Sequence, residues 1–172
     1  MLVRYTRQLA TAALIVAAGL GMGACSAHPG AAVITNNGNY SIAEVDEAVS
    51  QIVAVTAGQS SIGAYEVRAS LMNEPQLVAV ADSVGISMTD EQVDQAIERI
   101  ATQTGAQVPV IGRGTRATVR SLLLNQQLSQ FAQVNPAAVP AMNEAFEQAR
   151  DAANAQINPR FSQPTLGGGQ AP

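Results

Sequence analysis

The chain has 172 residues and 47% of them are apolar by type, but alanine supplies 31 of those 81 positions. Leu, Ile, Val and Phe together number 41, which supports one packed domain and is too few for two. Nine arginines stand against thirteen acids with no lysine, for a net charge of −4. That balance argues against nucleic acid as a partner, because backbone phosphates demand a basic face. Three Phe, three Tyr and no Trp leave little from which to build a platform for stacked bases. The lone histidine, His28, and the lone cysteine, Cys25, both lie near the start. The body therefore offers no imidazole or thiol for a zinc site, a disulfide or Ser-His-Asp and Cys-His catalysis, and no catalytic residue, metal or cofactor is expected.

In chain order, Arg4 and Arg7 precede an uncharged run from Leu9 to Leu20. This is the length of a signal-peptide core and too short to span a bilayer comfortably. The run ends in Gly21-Met22-Gly23-Ala24-Cys25, which resembles the lipobox of bacterial lipoproteins. The resemblance implies a signal peptide over 1–24, diacylation of the Cys25 thiol and an extracytoplasmic protein anchored to the cell membrane. The alternative is an ordinary secretory signal that leaves a free thiol. Two or more acyl chains make anchoring stable, so Cys25 reads as a lipidation site and not as a nucleophile. Removal of residues 1–24 takes two of the nine arginines and no acid, so the mature charge becomes −6. Residues 25–30 read as a tether; the segment Ser26 to Ala32 reaches about 25 Å at most, and His28 falls within it.

The body from 31 onward reads as a short ribbon followed by helices. Ala31 to Thr35 is β-prone, and Asn36-Asn37-Gly38 signals a turn because Asn-Gly readily takes positive φ. Ser41 and Glu44 form a capping box, with Tyr40 placed to staple onto Val45. The first helix follows, with Ile42, Val45, Val49, Ile52 and Val53 on its apolar stripe. A second helix is expected over Ala64 to Val84, with Val67, Leu71, Val78, Ala81 and Val84 facing the core. Pro75 removes a hydrogen bond to Leu71 and predicts a kink or a division into two short helices.

Thr89-Asp90-Glu91-Gln92 is a second capping box, with Met88 placed to staple onto Val93. It opens a third helix whose buried stripe is Val93, Ala96, Ile97, Ile100 and Ala101, and Gly105 ends it. Asp90, Glu91, Asp94 and Glu98 read as a solvated, dipole-matched face and not as a metal cluster. Residues 105–114, with three glycines and Pro109, read as a loop able to move. The fourth helix is expected from Thr115 to Ala132, where Leu122, Leu123 and Leu124 widen the apolar face toward the core centre. A fifth, alanine-rich helix with Pro140 in or near its first turn runs to about Asn154. Residues 155–161 then look extended, and Pro159 confines them to a sheet edge. Residues 162–172 read as a disordered tail. The expected fold is mainly α: about five helices, with a small sheet formed by the first (31–35) and last (155–161) segments.

Three stretches carry a resemblance to a known family. Ala32-Val33-Ile34-Thr35-Asn36-Asn37-Gly38 followed by Ile42-Ala43-Glu44-Val45-Asp46 is similar to the opening strand, turn and helix of the N-terminal, peptide-binding domain of SurA-type periplasmic chaperones. Gly85 to Ile97 resembles that family's G-V-x-(I/V)-(S/T)-D-E-Q-(V/L)-D-x-A-I junction more closely. Ile157-Asn158-Pro159-Arg160-Phe161 looks like the close of a group of single-domain lipoproteins of high-GC Gram-positive bacteria. The three bracket residues 31–161. The resemblance implies a mostly helical domain that binds unfolded or extended polypeptides. Larger members carry parvulin prolyl isomerase domains; here only eleven residues follow Phe161, so no isomerase is expected.

The function implied is a membrane-anchored, non-enzymatic chaperone for exported polypeptides, with no nucleic-acid partner. Clients would lie against exposed apolar side chains between helices or along the sheet edge. Met72, Met88 and Met142 are candidates for that surface, although each reads first as a core or staple residue. The alternative is an accessory or scaffold lipoprotein docking one folded envelope partner.

Overall fold

The computed structural model describes residues 30–153 and 155–157. Cys25, the signal peptide expected over 1–24, His28 and the tail expected over 162–172 lie outside the described residues, as does the 158–161 part of the last expected extended segment. A compact unit begins at Ala31. Strand β1 (Ala31–Thr35) turns into β2 (Gly38–Ser41), and β3 (Gln156–Ile157) pairs antiparallel with the other side of β1. The order is β2-β1-β3, so the first and last segments meet as the sequence implies. Its second strand, Gly38–Ser41, was not among the expected extended segments. Thr35 pairs with Gly38 across Asn36-Asn37, and the positive φ falls on Gly38 at 130° and on neither asparagine. The Thr35 hydroxyl donates to the Gly38 carbonyl at 2.8 Å and closes the turn.

Five helices follow: α1 (Ile42–Val55), α2 (Ala64–Ser83), α3 (Asp90–Thr104), α4 (Arg113–Val134) and α5 (Val139–Ala153), the last preceded by a 3-10 turn at Pro136–Ala138. Both capping boxes form. The Glu44 amide donates to Ser41 Oγ at 3.2 Å while Glu44 Oε2 accepts from the Ser41 amide at 2.8 Å. Thr89 and Gln92 repeat the pattern at the start of α3. Gly105 ends α3 with φ 70°, a left-handed conformation that costs glycine nothing.

Two details of the helices differ from expectation. Of the two outcomes that Pro75 predicts, a kink or a division, the division does not occur, because helix α2 is continuous through Pro75. Proline removes one hydrogen bond, but the residues around it (Leu71, Glu74, Gln76, Val80) are all buried against neighbouring elements, and that packing outweighs the local loss. Helix α4 begins at Arg113, so Gly112-Arg113-Gly114 is a helix start and not the end of a loop. Gly114 is buried there, and a Cβ on it would lie 3.1 Å from the Glu44 carbonyl oxygen. Glycine thus lets α4 approach the first turn of α1 closely.

The core has two parts. The larger joins β1, α1, α3 and the first halves of α2 and α4 around Val33, Val45, Val67, Leu71, Val93 and Ile97. The smaller joins the second halves of α2 and α4 to α5 through Val80, Ala81, Leu124, Leu128, Met142 and Phe146. The three-leucine expectation fails at one position. Leu122 is 49% exposed, whereas Thr115, Thr118 and Ser121 are buried. At 100° per residue the face of α4 that carries Leu124 and Leu128 also carries Ser121 and Ala117, and Leu122 lies on the opposite side. Ile42 is likewise 41% exposed.

Candidate polypeptide-binding groove

The first half of α4 carries Arg113, Arg116 and Arg120, and each reaches a different part of the fold. Arg113 Nε donates to Glu44 Oε1 of α1 at 2.6 Å, its Nη2 donates to the Asn39 carbonyl of β2, and its guanidinium lies 4.6 Å from the Tyr40 ring centroid. Cation-π attraction adds to the ion pair. Arg116 grips Asp94 of α3 with both ends of its fork, at 2.7 and 3.1 Å. Arg120 pairs with Glu74 of α2 at 2.8 Å and with Asp90 of α3. The acids that opened α3 are therefore divided: Asp90 and Asp94 face the arginines of α4, and Glu91 and Glu98 remain at the surface. Among the described residues no group of three His, Cys, Asp or Glu could hold a metal ion.

The Arg113 guanidinium, donating to Glu44, holds that carboxyl at about 2, below its ordinary 4.5, against the opposing effect of partial desolvation and with further help from Ser41. The same contacts occupy the outer edge of β2. The Asn39 carbonyl is taken by Arg113 and the Ser41 amide by Glu44. Half of the four-residue β2 is thereby spoken for, so strand addition at this edge is disfavoured.

Gln51 of α1 organises the segment before α4. It is buried; its Nε2 donates to the Val110 carbonyl at 2.9 Å and to Glu47 at 2.7 Å. Its Oε1 accepts from the Gly112 amide at 3.0 Å and from the Thr115 hydroxyl at 2.6 Å. The segment expected to be a mobile loop is thus tied to α1 at its carboxyl end.

An open groove lies between α3 and α4. A cavity of about 250 Å³ is floored by Met88, Ala96 and Leu123 and bordered by the side-chain amides of Gln92, Gln95 and Gln127, with Arg99 as its one charge. A second cavity of about 130 Å³ shares Ser87 and Met88 with the first and continues over Val78, Ile86 and Leu124. Met88 also packs against both parts of the core. Of the three methionines proposed for a client surface, Met72 packs on the larger core and Met142 on the smaller, and Met88 lines both cavities. None of Gln92, Gln95, Gln127 and Leu123 reads in the sequence as part of a groove; Gln92 reads as a helix cap and Leu123 as a core leucine. The signal that would have found them is the row Gln92, Gln95, Arg99 on α3, spaced three and four residues apart. Among the described residues no helix is long and apolar enough to cross a membrane. No family model, curated protein or solved structure matches the chain.

Proposed function

We propose that the protein is a membrane-tethered, non-enzymatic chaperone-like lipoprotein that transiently holds unfolded or extended exported polypeptides. The observation that carries this reading is the groove over Met88. An extended chain offers backbone amides at every residue and side chains of any type. Glutamine amides donate and accept equally, so Gln95 and Gln127 suit backbone recognition that is indifferent to sequence, while Gln92, whose Oε1 caps α3, offers mainly its donor side. Met88 adapts its three torsions to different client side chains. The combined cavities accommodate one or two side chains at a time, which favours weak, reversible holding over tight capture. The resemblance of residues 31–161 to SurA-type N-terminal domains, and of residues 20–25 to a lipobox, supports the same reading. With β2 closed by Arg113 and Glu44, the helical groove is the preferred seat over the β2 edge.

The test places a photoreactive side chain at Gln127, which is exposed on α4, and irradiates cells. Crosslinks to many unfolded precursors, together with delayed aggregation of a denatured reference client by the purified protein, are the expected results. A single folded partner trapped in fixed ratio, with no effect on aggregation, makes the protein a scaffold and ends this reading.

A further inference from the structure

The segment from Ile100 to Gly112 contains no ionisable side chain, in a body that is otherwise acidic. Between α3 and α4 its flanks are anchored and its middle is not: Ala106 and Ile111 pack on the larger core, while Val108 is 43% and Val110 93% exposed. Pro109 between them has no amide proton to desolvate. The exposed valines are held out on a fixed base, because Gln51 takes the Val110 carbonyl and the Gly112 amide. We propose that Val108-Pro109-Val110 is a shallow membrane-contact tip, touching the outer surface of the bilayer that holds the Cys25 lipid; the inference rests on the lipoprotein reading.

Two lengths support a bilayer as the occupant. Ala31 pairs with Ser41 at the start of α1, and Val110 is bonded to Gln51 ten residues further along the same helix, about 15 Å at 1.5 Å per residue. Six residue steps separate Cys25 from Ala31, about 20 Å when extended. The tether is therefore long enough for the acyl anchor and the valine tip to meet one surface together. Tethering raises the local concentration of that surface, so two valines need contribute little by themselves. The Glu47 carboxylate stands beside Gly112 at the base of the loop, which limits contact to the tip and favours zwitterionic over anionic lipid.

Cys25 is the only cysteine in the sequence, so acylation leaves Val110→Cys as a unique labelling site. The full chain, processed in a lipoprotein-competent host, is labelled there with a fluorophore and incorporated into phosphatidylcholine vesicles containing nitroxide-labelled lipid. Quenching several-fold stronger than at a Gln130→Cys control, on the exposed face of α4, is expected. Vesicle-bound protein with equal quenching at both positions overturns the membrane tip alone. Shielding of the label by a denatured polypeptide but not by lipid also overturns it, and reassigns the valines to client contact. Labelling of unsubstituted protein, or failure to float with vesicles, overturns the anchor and the tip together.

Discussion

Replacing Arg120 by methionine tests whether the ion pairs of α4 stabilise the fold by attraction or only by mutual neutralisation. Arg120 and Glu74 side chains are 16% and 9% exposed, and Arg120 Nε is buried without a hydrogen-bond partner. Removing Arg120 leaves the Glu74 carboxylate buried and uncompensated, a loss of about 3–5 kcal/mol. Asp90 loses the same partner, but it is 64% exposed and regains water, so it adds little. For a domain of this size the loss corresponds to a fall of about 10 °C in Tm. The variant Glu74→Met/Arg120→Met removes both charges and the unpaired Nε, and fills the space with apolar atoms. It is expected to recover most of the loss, because desolvation consumes much of what a buried pair gains. Urea unfolding followed by circular dichroism at 222 nm measures all three proteins. A double variant as unstable as Arg120→Met, or more so, refutes the reasoning and makes the pair a net source of stability.

Other outcomes follow from the remaining contacts. Gln51→Ala strips partners from the Val110 carbonyl, the Gly112 amide and the Thr115 hydroxyl, and is expected to cost about 3 kcal/mol; limited proteolysis should then cut first between 105 and 112. Gly114→Ala gains helix propensity but sets a Cβ 3.1 Å from the Glu44 carbonyl oxygen, so a net loss of about 1 kcal/mol is expected in the same unfolding assay. Glu44 has a folded value of about 2 against an ordinary 4.5. Its stabilisation is therefore complete above 4.5 and is lost as pH falls through 2. The urea midpoint should decline between pH 5 and 2 less steeply in Arg113→Ala than in the unsubstituted protein. Gln95→Glu/Gln127→Glu, both on exposed positions of the groove, should leave Tm unchanged and weaken client holding by a factor of about 10, from two lost donors at about 0.7 kcal/mol each; a drop in Tm without a change in holding would move the client elsewhere.

The sequence by itself determined the features whose partners lie within four residues. Ser41 with Glu44, Thr89 with Gln92 and Gly105 after α3 mark helix ends because a cap is satisfied by its own first or last turn. One longer-range feature was also legible: the β-prone run from Ala31 and the extended segment at the carboxyl end of the domain read as partners, and they pair as β1 and β3. Tertiary structure alone decided whether Pro75 would divide its helix, because the balance rests on the buried surroundings of Leu71 and Glu74. It also decided which way the leucines of α4 face, since three apolar residues in a row satisfy every helical phase equally. The arginines illustrate the same division. Their positions on α4 are plain in the sequence, but Glu44, Glu74 and Asp94 become their partners only across separations of 69, 46 and 22 residues. Met88 was legible as a staple residue, and its place in a groove depended on Gln92, Gln95 and Gln127 arriving from two helices. Local hydrogen bonds are written into neighbouring residues, whereas surfaces are made by elements that meet only after the chain has folded.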